Sequence, residues 1–204
     1  MVMPQTDFRQ AIVEYIRIQA QPPEKFSHQP RLYRLAFQLA EGQPFDDDVL
    51  FAAAWMHDLG VFTGHRPEDA TALAAWDNTA YAMKESPGAL TDLGFPADKI
   101  PAVVECIRTH LPSTTPTTLE AVMLRDADIL EQLGAIAVMR TVCKIGRDTR
   151  FVTFGDAIAS LRRSLEQLPE KLELPAARRL AKPRIQTLET FLAAVLSETG
   201  DVPL

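Results

Sequence analysis

Helical spacing is the feature that most constrains the fold of this chain. Apolar residues recur every three or four positions in segment after segment, as at Leu32, Leu35 and Leu39, and this pattern is typical of helices that turn one face to a core. Strand signals are nearly absent, because the stretch at 150–153 is too short to found a sheet. The sequence therefore predicts an all-α fold.

The length of 204 residues is enough for one sizeable core, so we expect a single domain over residues 1–204. Helices are predicted at about 7–19, 28–39, 46–57, 68–84, 98–110 and 117–133, from 135 onward, and at about 154–168 and 176–198. We expect Ser86-Pro87-Gly88 to break the alanine-rich helix and Pro183 to kink or break the last one. The acidic triplet 46–48 is most simply a helix start.

Charge and hydropathy exclude several classes of protein. A net charge of −6 disfavours binding to nucleic acid polymers or anionic lipid, which normally requires a basic face. No run approaches the roughly 20 apolar residues of a membrane helix, and the first residues lack the pattern of a secretory signal. We therefore expect a cytoplasmic protein in which Cys106 and Cys143 are reduced, buried thiols.

The pair His57-Asp58 stands out because the apolar run 49–56 leads into it and the turn at Gly60 follows. Polar groups in an apolar setting are costly to desolvate unless something binds them, which indicates a metal or a polar network. An isolated pair of this kind is more often structural than catalytic. The interpretation therefore depends on the rest of the chain.

Other residues able to bind metal lie on predicted helices. His28 is near the start of one apolar stripe and His110 continues another, although a lone histidine there is more often a core residue. Asp126 and Asp128 are both in a helix interior, about 200° apart around the axis, so only one can face a given site. Counting neighbours on the wheel weakly favours Asp126 as the more buried, and leaves the choice open.

Two imidazoles with carboxylates make a mixed nitrogen and oxygen set suited to Mn²⁺, Fe²⁺, Zn²⁺ or Mg²⁺. The order of His, His-Asp and Asp on successive helices resembles the HD-domain superfamily of metal-dependent phosphohydrolases. The matching stretches are His28-Gln29-Pro30-Arg31-Leu32, Met56-His57-Asp58-Leu59-Gly60 and Ala127-Asp128-Ile129-Leu130. A closer resemblance, over about residues 24–198, is to a small bacterial branch with an Asp-Ala-Asp-x-Leu-x-x-Leu-Gly-Ala-Ile motif, here at 126–136.

This resemblance implies an HD-domain helical bundle with a metal-site core at about 24–150 and additional helices at about 154–198. It implies the metal ligands His28, His57, Asp58 and Asp128, with Asp126 as a supporting or alternative ligand. One divalent ion (Mn, Fe, Mg, Zn or Ni) is expected and two are allowed, since dinuclear members need further histidines and only His110 is well placed. The chain departs from the branch at Glu24-Lys25, where a His-Asp pair is often found.

The implied activity is hydrolysis of a nucleotide or another small phosphoester or phosphoanhydride by a metal-activated water. Candidate catalytic residues are Asp58, His110 and Arg31, and candidate substrate-binding residues are His65, Arg66 and Arg140. The alternative for His65 and for the basic residues is that they are exposed surface side chains with no role in binding. Alternatives are an HD-type lyase or di-iron oxygenase, or a non-catalytic metal-containing module. A small phosphorylated substrate is the expected partner, and neither a membrane nor a nucleic acid polymer is expected. The sequence allows a homodimer but does not determine the oligomeric state.

Overall fold

A computed structural model describes residues 7–148 and 150–200, and over these residues the protein is all-α, as predicted. The helices are α1 (Phe8–Gln19), α2 (His28–Leu39), α3 (Asp47–Met56), α4 (Ala70–Ala74), α5 (Asn78–Asp92), α6 (Ile100–Arg108), α7 (Leu119–Glu131), α8 (Ala135–Val142), α9 (Phe154–Gln167) and α10 (Pro175–Thr199). None of the described residues forms a β-strand. None of the helices among them has the length and apolar character needed to cross a membrane.

The chain forms two compact units, Met1–Arg125 and Asp126–Leu204. In the first unit α3 packs against α1, α2 and α6, and α5 packs against α6. In the second unit α8, α9 and α10 pack against one another. The expectation of a single domain over 1–204 stays a prediction.

The helix α3 is the most completely buried element of the first unit. Every residue from Val49 to Met56 is buried, so the helix has no solvent-facing side over this stretch. Its start is specified by Asp46, whose carboxylate accepts hydrogen bonds from the backbone N–H groups of Asp48 and Val49. The acidic triplet is thus a helix start, as predicted, and the helix ends at His57.

Two basic side chains from elsewhere in the first unit pair with this acidic start. The Arg9 guanidinium lies 2.8 Å from Asp47 and 2.6 Å from Asp48, and the Lys99 ammonium lies 2.9 Å from Asp46 and from Asp48. Hydrogen bonds from Lys99 and Arg9 lower the pKa of the Asp48 carboxyl below 3.8. The ion pairs thereby tie α1 and the start of α6 to α3.

The alanine-rich segment differs from its prediction in two ways. The single helix predicted at 68–84 is divided between α4 and α5, because Asp77 caps α5 by accepting the N–H of Ala80. Pro87 lies inside α5 and does not break it, since the buried face of the helix continues past it to Leu90. The helix instead ends before Gly94, which has a φ of +76°. Packing against α6 outweighs the local effect of the proline.

Pro183 likewise lies inside the continuous helix α10, so it does not break that helix, and the alternative of a kink stays a prediction. At the start of α7, two side chains accept backbone N–H groups. Thr118 accepts the N–H of Ala121, while the carboxylate of Glu120 accepts the N–H of Asp46, at 2.7 Å. Cys106 is a buried free thiol, as expected, whereas Cys143 is free and exposed because it follows the last turn of α8.

The Asp48 ion pairs predict how stability depends on pH. The folded state holds the pKa of Asp48 below its ordinary value, so its contribution is present above pH 3.8 and is lost as the pH falls through the folded pKa. Asp48→Asn should therefore lower Tm at pH 7, and the difference from the wild type should shrink toward pH 3. Thermal unfolding across this range measures it, with exposed Asp98→Asn as the control. Equal Tm values for wild type and Asp48→Asn at pH 7 would contradict it.

Candidate metal centre

Three of the predicted ligands come together in the first unit. His28 is the first residue of α2, His57 directly follows α3, and Asp58 is the next residue. Each offers one ligand atom, and these atoms all lie within 4.8 Å of one another. The helices α2 and α3 pack against each other, which brings the two histidines to the same place.

A backbone hydrogen bond orients the buried ring of His57. The ring is 1% exposed, and its Nδ1 lies 3.0 Å from the carbonyl oxygen of Ala54. A carbonyl only accepts hydrogen bonds, so Nδ1 carries a proton, and in a metal-binding ring Nε2 is the nitrogen that offers a lone pair. Within the described part of the chain, this buried Nε2 has no hydrogen-bond partner. A metal ion would remove the cost of that burial.

Asp58 lies between the two imidazoles. Its Oδ2 is 3.6 Å from Nε2 of His28 and its Oδ1 is 3.6 Å from Nε2 of His57. These distances are too long for hydrogen bonds, but they are close to the roughly 3.0–3.5 Å that separates neighbouring ligands about 2.1 Å from one ion. The Asp58 side chain is 20% exposed while both imidazoles are buried, so the cluster contacts solvent through Asp58. These residues therefore fit a divalent metal that keeps positions for water or substrate.

His110 lies beside this cluster. It follows α6 instead of forming part of it, because the helix ends at Arg108. The ring is 3% exposed, its Nδ1 is 2.6 Å from the carbonyl oxygen of Ile107, and its centroid is 5.2 Å from that of His57. His110 is not one of the three residues whose ligand atoms converge, and its catalytic role stays a prediction.

The loop candidates for substrate binding are held in different ways. His65 uses both ring nitrogens within the fold, Nδ1 at 2.9 Å from the hydroxyl of Tyr81 and Nε2 at 2.7 Å from Oε1 of Gln19. Burial lowers the pKa of His65, which favours the neutral ring. Arg66 is half-buried in the same loop, and Arg31 donates to the Ser27 hydroxyl at 3.0 Å. Their substrate roles stay predictions.

The two aspartates of α7 have different surroundings in the second unit. Asp126 is fully buried, and its carboxylate accepts the backbone N–H groups of Glu173, at 3.0 Å, and Leu174, at 2.7 Å, just before α10. The burial of Asp126, which the helical wheel favoured, is therefore confirmed, but no sequence pattern indicated a partner 47 residues away. Asp128 is half-buried and accepts a hydrogen bond from Gln132 at 3.1 Å. Its assignment as the fourth ligand rests on the motif.

Arg140, the remaining substrate candidate, is in the second unit. Its guanidinium lies 3.4 Å from the buried carboxylate of Glu131, so the structure gives it an acidic neighbour.

The side chains that hold the turn after Asp58 were not predicted from the sequence. There the Trp76 indole N–H donates to the carbonyl oxygen of Gly60 at 2.9 Å, and Lys25 donates to that of Val61 at 2.6 Å.

A model of the HD domain matches residues 26–133, slightly more than half of the chain, including His28, His57, Asp58 and Asp128. The protein belongs to the HD-domain family. No curated protein matches it.

Solved structures with this HD-domain fold are similar over almost the whole chain. YpgQ of Bacillus subtilis is 18% identical with a TM-score of 0.75, covering 98% of this chain and 100% of that one. A second structure of YpgQ contains ADP. A predicted HD superfamily hydrolase from an uncultured Thermotogales bacterium is 24% identical with a TM-score of 0.61, covering 95% of this chain and 91% of that one. At these identities the likeness shows the fold.

The metal centre predicts that metal removal destabilises the protein. Because the folded cluster binds the ion and the unfolded chain does not, metal at about 100 times its Kd should add about 2.7 kcal/mol to the free energy of unfolding. Chelation should therefore lower Tm, and Mn²⁺, Fe²⁺ or Zn²⁺ should restore it. His57→Ala should abolish the response, while Asp98→Asn should retain it. A wild-type Tm indifferent to every divalent ion tested would contradict the prediction.

The two aspartates of α7 predict a separation of effects. Asp126→Asn weakens hydrogen bonds from two backbone N–H groups to a buried carboxylate, so we expect it to lower the free energy of unfolding by about 2 kcal/mol and to leave metal stoichiometry unchanged. Asp128→Asn should lower metal affinity with a smaller effect on unfolding. Urea denaturation and metal titration of the same preparations measure both quantities. Metal loss in Asp126→Asn alone would reverse the assignment.

Proposed function

We propose that the protein is a metal-dependent phosphohydrolase that acts on a nucleotide or another small phosphoester or phosphoanhydride. The observation that supports this most strongly is the buried cluster of His28, His57 and Asp58, in which Nε2 of His57 has its lone pair available. The presence of ADP in a structure of YpgQ supports a nucleotide as the substrate class. Two proteins of similar structure are named HD-superfamily hydrolases, which supports the reaction type.

His28, His57 and Asp58 would hold the ion, with Asp128 as the fourth ligand according to the motif. Bound there, a divalent ion would lower the pKa of a water molecule and neutralise charge on phosphoryl oxygens. Asp58 is the most exposed of the three clustered residues, so its carboxylate would orient the attacking water by accepting a hydrogen bond. The buried imidazoles exclude bulk water from the inner side of the cluster.

Binding the phosphate group of the substrate would require cationic hydrogen-bond donors. Arg66, in the loop that follows the cluster, and Arg31, one turn after His28, offer the forked guanidinium that suits phosphate. His65 is less suited to this role in the described conformation, because Gln19 and Tyr81 use both of its nitrogens. Nδ1 of His110 also faces a backbone carbonyl, so in the neutral ring Nε2 would be the nitrogen that accepts a proton or a hydrogen bond.

The decisive test is turnover of a panel of nucleoside mono-, di- and triphosphates and simple phosphoesters in Mn²⁺, Mg²⁺ and Fe²⁺. We expect release of phosphate or pyrophosphate from at least one nucleotide, loss of turnover in His57→Ala, and retention in Asp98→Asn. Arg66→Ala should raise KM more than it lowers kcat, if the loop binds phosphate. Metal-loaded wild-type protein that hydrolyses nothing in the panel would overturn the proposal.

The position of His110 supports a second candidate, a dinuclear centre of the oxygenase or lyase type. The ring centroids of His28 and His57 are 5.4 Å apart and those of His57 and His110 are 5.2 Å apart, so the ring of His57 neighbours two other imidazoles. Two equivalents of iron per chain, with oxygen consumption and with loss of one equivalent in His110→Ala, would favour this candidate. One equivalent in both proteins would favour the phosphohydrolase.

A further inference from the structure

The carboxylate of Asp58 is the ligand least fixed by regular structure. His28 lies in the first turn of α2, and the ring of His57 is tied to the carbonyl of Ala54. Asp58 instead begins a short turn, because its own φ and ψ are −95° and 11° and a 3₁₀ segment, Leu59–Val61, follows it. The position of its side chain therefore depends on what holds that turn.

Within the turn itself, the backbone bonds are few. The N–H of Val61 donates to the carbonyl of Asp58 at 2.9 Å, and the N–H of Phe62 is 3.5 Å from the carbonyl of Leu59. The carbonyl of Gly60 instead accepts the indole N–H of Trp76, at 2.9 Å. A side chain 16 residues away thus completes the hydrogen bonding of the turn that carries Asp58.

The backbone also presses on this turn from the side of Trp76. A Cβ atom at Gly60 would stand 2.5 Å from the carbonyl oxygen and 2.8 Å from the Cα of Asn78, so only glycine fits there. Asn78 begins α5, two residues after Trp76. The start of α5 and the indole therefore hold the turn together.

A second set of contacts fixes the indole. The ring of Trp76 lies 5.2 Å from that of Tyr81, and the hydroxyl of Tyr81 is 2.9 Å from Nδ1 of His65. Nε2 of His65 is in turn 2.7 Å from Gln19. The indole is consequently supported by α5 and, through His65, by the end of α1.

We propose that Trp76 is a positioning residue for the metal centre, which acts by holding the Gly60 carbonyl and thereby the carboxylate of Asp58. The inference rests on the metal site of the proposed function and adds a residue outside the ligand set. Groups that orient metal ligands typically affect metal affinity 10- to 100-fold when they are removed. Trp76 should therefore matter more for metal affinity than for folding.

The two tryptophans of the chain provide a matched test. Trp76→Phe removes a donor that is used, whereas Trp55→Phe removes an indole N–H that has no hydrogen-bond partner among the described residues. Trp55 is also the more buried, at 4% exposed, so Trp55→Phe should cost more stability. We expect Trp76→Phe to weaken binding of Mn²⁺ at least tenfold and Trp55→Phe to leave it unchanged.

Titration of the metal-free proteins with Mn²⁺ measures the affinity, and the visible absorption of bound Co²⁺ reports the ligand geometry. A changed Co²⁺ spectrum in Trp76→Phe but not in Trp55→Phe supports positioning of Asp58. Gly60→Ala should reproduce the effect from the other side of the hydrogen bond. Wild-type affinity and a wild-type spectrum in Trp76→Phe would overturn the inference. Absence of metal binding by the wild type would instead overturn the proposed function.

Discussion

The candidate centre depends on the burial of α3. A helix buried on all sides from Val49 to Met56 places its next residue, His57, away from water as well. An imidazole there needs a partner for each nitrogen, because an unsatisfied buried polar group costs roughly 1–3 kcal/mol. The Ala54 carbonyl serves Nδ1, which leaves Nε2 available to a metal ion. The apolar core therefore makes this histidine suited to bind a metal.

The same helix needs its acidic start to be stable. Asp46 caps the first turn, and Arg9 and Lys99 balance the carboxylates that the cap brings together. These ion pairs also join α1 and the start of α6 to α3, and α6 leads to His110. The charges at one end of α3 thus help to position the histidines at the other end, although none of them lies in the cluster.

Much of the first unit could be predicted from the sequence, because the spacing of apolar residues determines which face of a helix is buried. His28 lies on the stripe of Leu32, Leu35 and Leu39, and α2 packs on α3, so the meeting of His28 with His57 follows from periodicity and the HD motif together. That α5 continues past Pro87 could not be predicted from the local sequence. There the free energy of packing exceeds the cost of one lost backbone hydrogen bond.

Hydrogen bonds between residues distant in sequence could not be predicted from the spacing of apolar residues. The donors to Asp126 are backbone N–H groups at Glu173 and Leu174, and every residue except proline has such a group. The donor to the Gly60 carbonyl is a single indole 16 residues away, in a segment whose sequence resembles an ordinary helix. Periodicity places a side chain on a face, but it does not name the partner.

The two aspartates of α7 have different surroundings although they are only two positions apart. Two residues of the same type, two positions apart, point roughly 200° apart around the axis, so what surrounds one does not surround the other. The carboxylate of Asp126 is occupied by backbone donors of its own unit, which makes it costly to redirect toward an ion. Asp128 is half-buried and accepts a hydrogen bond from Gln132, a neutral amide one turn further along. Burial alone would select Asp126 as the ligand, whereas the motif selects Asp128.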